Sequence, residues 1–182
     1  MKQAGARRRT RRQQRNTQPS IPQLTSKPTG IPKETAAGER RVAATPATVE
    51  QLLKAGFRRV LVERGAGEGA GLPDSAFAAA GATLVAPAGG GDGGGHAAAA
   101  AAALSDADVV LRVRPPTLDE ARALRPGATL VSHIAPARNG ALLAALRERG
   151  ATVVAMDCVP RQLPRAQAFD ALSSMANIAG YR

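Results

Sequence analysis

Short β-branched runs return along this chain at intervals of roughly 25 residues, and each gap holds helix-start and helix-stop signals. RVLVE (59–63), TLVA (83–86), DVVLRV (108–113), ATLVSH (128–133) and ATVVAM (151–156) read as strands. Thr45-Pro46 places a capping hydroxyl before a proline at a first helical turn. Val49, Leu52 and Leu53 then give an apolar face, and Gly56 ends it. A second short helix is expected over 73–80. Thr117-Leu118-Asp119-Glu120 is a capping box that opens another. Asn139 is expected to cap a helix through Arg149, stopped by Gly150. Strand and helix in alternation demand parallel strands with crossover helices, hence an α/β layer fold with an open, mostly parallel sheet and flanking helices. The run 151–156, almost wholly apolar, is expected to be buried on both faces. A first strand before Ile31 is weakened by Pro28 and Pro32.

Composition narrows what fills such a fold. Aromatic residues make up only 2% of the 182, so the core must be built from Ala, Val and Leu. The formal net charge is +11, yet nine of those charges fall within residues 1–33, which hold no acid. The folded part is therefore nearly neutral. Residues 1–29 are polar and poor in large apolar side chains, so a disordered basic tail is expected. A mitochondrial presequence needs an apolar helical face that the tail lacks. RRRTRR (7–12) has no aromatic interleaving to support a nucleic-acid arm, so nucleic acid is not an expected partner. An upstream extension or inert disorder fits better.

The single cysteine, Cys158, excludes an internal disulfide and a cysteine metal cluster, and it reads as a small buried residue. No metal site is expected. No apolar run approaches the ~20 residues of a membrane span. Gly65-Ala66-Gly67-Glu68-Gly69-Ala70 follows a strand and matches a dinucleotide fingerprint on paper, but Pro73 delays the helix that should start within the loop. GGGDGGG (89–95) lacks the Lys-Ser/Thr of a phosphate loop and reads as a linker before an alanine-rich helix over 96–104, with His96 exposed.

The last stretch, MDCVPRQLPRAQAFDALSSMANIAGYR (156–182), carries the densest chemistry. Pro164 is expected to start a helix over 165–179. Phe169, Leu172, Met175 and Ala179 would form its buried stripe. Gln167, Asp170, Ser173, Ser174 and Asn177 would lie opposite, on a face rich in hydrogen-bonding groups with a single carboxylate. That face suits a polar ligand, or a buried helix whose polar groups are satisfied internally.

These residues resemble the NAD-binding alpha subunit of the proton-translocating NAD(P) transhydrogenase family. GIPKETAAGERRVAATPATVEQLLKAGF (30–57), VERGAG (62–67), DVVLRV (108–113), PGATLVSHIAPARN (126–139) and DALSSMANIAGYR (170–182) follow in the family's order. The alanine dehydrogenase relatives share the layout but not that last string. The resemblance covers about residues 30–182 and implies a Rossmann-like domain that is one part of an NAD-binding module. It implies hydride transfer from NADH to NADP coupled to proton translocation. NAD(H) would be the cofactor here, with NADP(H) on a partner subunit or segment. It further implies the other transhydrogenase subunits as partners, a homodimer of the NAD-binding part, and indirect membrane association. The location would be the cytoplasmic face of the bacterial inner membrane or, alternatively, the matrix side of the mitochondrial one.

Carried over residue by residue, Arg161, Gln167, Asp170 and Ser173 would contact the nicotinamide nucleotide where hydride transfers, with Arg165 beside them. The sequence departs from the family by one extra residue between Arg161 and Arg165. Arg41 occupies the position that holds a substrate carboxylate in the alanine dehydrogenases, and Arg112 sits where lysine is usual. The dehydrogenases' catalytic histidine aligns at Ala135, and His133 lies two residues earlier on the same strand face. The loss of histidine and lysine favours transhydrogenation over an alanine dehydrogenase-like oxidoreductase, and a non-catalytic truncated remnant is the other alternative. This chain alone is expected to be inactive and to bind NADH poorly.

Overall fold

The computed structural model describes residues 27–85, 105–160 and 162–181, with Leu172 described through its backbone only. The basic segment 1–26, the glycine tract 89–95, the helix expected over 96–104 and Arg161 lie outside these residues.

Six strands form one sheet: β1 (Pro28–Ile31), β2 (Arg59–Glu63), β3 (Thr83–Val85), β4 (Val109–Leu111), β5 (Thr129–Ser132) and β6 (Thr152–Ala155). Their order is β3-β2-β1-β4-β5-β6, and all five pairings are parallel. Among the described residues five α-helices connect or follow them: α1 (Pro46–Lys54), α2 (Asp74–Ala79), α3 (Leu118–Ala123), α4 (Gly140–Glu148) and α5 (Ala171–Gly180). The Rossmann-like α/β architecture expected from the alternation is the one observed.

Register divides the core in two. Ile31, paired with Val62, faces the same side as Val60 and packs with Val49 of α1 and Phe77 of α2. Val110, paired with Leu130, faces the other side and packs with Ala121 and Leu124 around α3 and with Leu142 and Leu146 of α4. Chain order runs outward from β1 to β3 on one flank and from β4 to β6 on the other. The helices accordingly lie on opposite faces, and the direction reverses between β1 and β4.

Local signals explain most helix ends. Thr45 caps α1 by accepting from Thr48 N, with Pro46 next, and Gly56 takes φ +97 beyond its end. Thr117 and Glu120 make both bonds of the capping box on α3. Gly150 takes φ +63 beyond α4. Asn139 does not cap α4 with its side chain; its Nδ2 donates to Ile134 O at 2.6 Å, tying the turn after β5 instead.

Four further expectations need correction. The strand before Ile31 is central rather than weak, because Pro28 stands at its first position, where its carbonyl accepts from Asp108 N at 3.0 Å. β6 is an edge strand and is not buried on both faces; Val154 is 42% exposed. Cys158 is exposed on the 3-10 turn Met156–Cys158 that follows this edge. Ala, Val and Leu are joined in the core by Phe77, Ile31 and Ile134, all fully buried.

Candidate functional site

In an open parallel sheet the crevice lies outside the carboxyl ends of the strands, at the point where the strand order reverses. Here that point is between β1 and β4. A crevice opens there in two lobes of about 350 and 250 Å³, both bordered by Arg41, Val113, His133 and Met175.

Its floor is an ion network. As β4 ends, the amides of Val113 and Arg114 need acceptors. Glu34, in the loop after β1, supplies them at 2.6 and 3.2 Å. The same carboxylate pairs with the Arg112 guanidinium at 3.4 Å, and Glu120 pairs with Arg112 from α3. The Arg112 side chain is 1% exposed and bound on both sides by carboxylates, a commitment its forked reach permits and a lysine's single ammonium would not reproduce.

Glu39 forms a second knot. It accepts from Arg41 Nε at 2.6 Å, Arg41 NH2 at 2.5 Å and Arg114 Nε at 2.8 Å. The Arg41 hydrogen bonds, which outweigh burial, hold its carboxyl at about 2 instead of 4.5. The Arg41 guanidinium is raised in turn, chiefly by Glu39. Arg41 NH1 also reaches the Met175 sulfur, so this arginine joins the loop after β1 to α5.

The third element is the turn after β5. Ala135 adopts φ +47, in the left-handed region that non-glycine residues avoid. Asp157, just beyond β6, holds it there: Oδ1 accepts from Ile134 N at 2.8 Å and Oδ2 from Ala135 N at 2.7 Å. Burial alone would raise the Asp157 carboxyl, but the two backbone N–H bonds lower it. His133 is anchored through Nδ1, 3.0 Å from Val113 O, while its Nε2 is buried and has no hydrogen-bond partner.

The C-terminal segment differs from the continuous helix expected over 165–179. Residues 163–166 form turns, Gln167–Phe169 a 3-10 turn, and α5 begins only at Ala171. The break is at Asp170. Its ψ of 83 leaves the helical range, and its carboxylate accepts from Ser173 N at 3.0 Å and Ser173 Oγ at 2.5 Å. Asp170 therefore competes with Pro164 for the helix start and wins, since a side-chain cap satisfies an orphan N–H that proline cannot. Asp170 and Ser173 are brought together by this cap. Gln167 is exposed on the turn before it, so the single polar face drawn through Gln167 and Ser173 does not exist. Phe169 is 65% exposed rather than part of a buried stripe, and with Val154, Leu163 and Arg165 it borders an apolar groove of about 410 Å³ beside β6. Ala171 and Met175 carry α5 to the crevice.

The glycine loop after β2 is not a phosphate cradle. Gly65 N donates to Asp74 Oδ1 at 2.9 Å, a Cβ on Gly67 would meet Leu72 O and Phe77 at 2.5 Å, and one on Gly69 would meet the Arg40 backbone at 3.1 Å. Its small residues serve close packing. Among the described residues no group of His, Cys, Asp or Glu is arranged to hold a metal, and no helix is long and apolar enough to cross a membrane.

Sequence reasoning missed Glu34, Arg114 and Asp157. Each follows a strand end, where a side chain able to serve orphan amides or reach into the crevice is a usable signal. It saw Glu39 only within the family-like stretch 30–57.

The family model described as "Alanine dehydrogenase/PNT, N-terminal domain" matches residues 30–179. The NAD(P) transhydrogenase subunit alpha of Cereibacter sphaeroides is 50% identical over 153 residues, covering 84% of this chain and 27% of that one. The alanine dehydrogenase of Bacillus subtilis is 35% identical over 153 residues, covering 83% and 35%. A solved transhydrogenase from Sinorhizobium meliloti superposes with a TM-score of 0.72 at 38% identity, over 85% of this chain and 42% of that one. The chain spans about a quarter to two fifths of these relatives.

Proposed function

Because the chain belongs to the alanine dehydrogenase/PNT N-terminal domain family, we propose that it is part of the NAD-binding subunit of a proton-translocating NAD(P) transhydrogenase. The observation that carries this reading over an alanine dehydrogenase is the greater identity to the transhydrogenase subunit. The commitment of Arg112 to Glu34 and Glu120 supports it, since both carboxylates compete with a substrate carboxylate for that guanidinium. The domain spans residues 30–182 and follows a basic tail over 1–29.

NAD(H) supplies the hydride; the described residues fit its nicotinamide end and not its pyrophosphate. The fit rests on the buried, unpartnered Nε2 of His133 in the crevice and on Ala171 and Met175 of α5, which border it. Arg161, Arg165, Gln167, Asp170 and Ser173 would hold that end. Hydride transfer between two nicotinamides needs no acid or base, only rings held close, aligned and dry. Positioning is what a capped helix, a pinned turn and a two-arginine clamp can do. The pyrophosphate would be held elsewhere, given the packed glycine loop. NADP(H), the proton path and the membrane attachment belong to partner subunits or segments. The NAD-binding part pairs as a homodimer at the cytoplasmic face of the membrane.

The test is Gln167→Ala and Ser173→Ala in a transhydrogenase carrying residues 30–179. Both should lower NADH-to-NADP hydride transfer with melting nearly unchanged. Full activity in both variants would overturn the assignment.

A further inference from the structure

We propose that His133 Nε2 accepts a hydrogen bond from the primary carboxamide of a nicotinamide ring seated in the crevice, an inference that rests on the NAD(H) reading above. The argument begins with the other ring nitrogen. Nδ1 lies 3.0 Å from Val113 O, and a carbonyl only accepts, so Nδ1 carries the proton. A neutral imidazole has one such proton. Nε2 is then a bare lone pair, and it is buried without a partner. Both crevice lobes are lined by this residue.

Among the described residues the other charged side chains at the crevice each have a partner. Arg41 and Arg114 grip Glu39. Arg112 is held through its terminal nitrogens by Glu34 and Glu120, while its Nε–H is buried without a hydrogen-bond partner. Asp157 takes two backbone amides. A ligand that completes the site must therefore bring an N–H or O–H donor to His133. It must also be largely apolar, because Leu111, Val131, Met156 and Met175 line the larger lobe. A carboxylate brings no donor and would face the Asp157 charge. A ring ketone brings none either. A primary carboxamide on an aromatic ring meets both demands, and Ala171 and Met175 bring α5 to the same space.

The experiment uses the 182-residue chain with ¹⁵N-labelled histidine. Long-range ring spectra should report a protonated Nδ1 and a bare Nε2 for His133, the reverse of the tautomer favoured in water. Titration then compares nicotinamide, 3-acetylpyridine and nicotinic acid. Nicotinamide should move the Nε2 resonance and bind roughly tenfold tighter than 3-acetylpyridine, the factor one net hydrogen bond supplies. His133→Leu should erase that preference, and His133→Gln, which keeps an acceptor oxygen, should restore part of it. An Nε2–H tautomer, a nicotinamide titration that leaves Nε2 unmoved, or an equal response to 3-acetylpyridine overturns the inference. Hydride transfer by a transhydrogenase carrying this segment reads the functional proposal separately: activity beside a carboxamide-blind His133 sinks the inference alone, and inactivity beside the expected spectra sinks the functional reading alone.

Discussion

Replacing Glu39 by Gln keeps the side chain's shape and removes its charge, which isolates what the clamp on Arg41 and Arg114 contributes. The Glu39 side chain is 4% exposed and its carboxyl is held at about 2, against 4.5 for an ordinary glutamate. At 1.36 kcal/mol for each unit, that depression corresponds to at most about 3.4 kcal/mol. The arginines are 44% and 55% exposed, so solvent screens them, and a discounted value of about 1 to 2 kcal/mol is expected. A lowered folded pKa means the stabilisation is fully present above about 4.5 and fades as pH falls through about 2. Wild type and Glu39→Gln should be melted side by side from pH 7 to pH 2. Near neutrality the variant should melt roughly 2 to 8 °C lower. Most of the gap should close by pH 2, where about half of the folded molecules carry a protonated Glu39. Because the comparison is a difference, the titration of Asp157 and other acids cancels. A gap that is absent at pH 7, or one that stays constant down to pH 2, would refute the assignment of the clamp.

Asp170→Ala should cost about 0.5 to 2 kcal/mol through loss of the α5 cap, whereas Asp170→Asn should be nearly neutral in a melt because asparagine also caps. Phe77→Ala should cost about 3 to 5 kcal/mol, since the ring is fully buried, and Phe169→Ala should stay within about 0.5 kcal/mol in the isolated chain. Removing residues 1–26 should leave the denaturation midpoint unchanged, but removing 1–29 takes Pro28 and Thr29 out of the central strand and should lower it.

What could be read in the sequence was local and periodic. The strands from Arg59 onward, the Thr45 and Thr117 caps and the glycine stops depend on neighbouring residues, so they were legible. β1 was harder, because two prolines mask a strand whose hydrogen bonds come from β2 and β4, far along the chain. Burial of the last strand and of Phe169 depends on what covers the sheet edge, and no local pattern reports that. The helix start went astray at Pro164 because a proline tolerates a first turn but does not compel one, while Asp170 satisfies an orphan amide. Within the site, the family pattern located Arg41 and the C-terminal segment. It did not reveal that Arg112 is paired with two carboxylates or that His133 Nε2 is buried without a partner. Both are products of the β1–β4–β5 crossing, where Glu34 and Val113 meet residues distant in sequence.

The most direct test of the central claim is a chimera. Residues 30–179 replace the matching segment of the Cereibacter sphaeroides NAD(P) transhydrogenase subunit alpha, and membranes containing the assembled protein are assayed two ways. The account predicts NADH-dependent reduction of NADP and no alanine-dependent reduction of NAD. A folded, assembled chimera that oxidises alanine, or that transfers no hydride between the nucleotides, would contradict it.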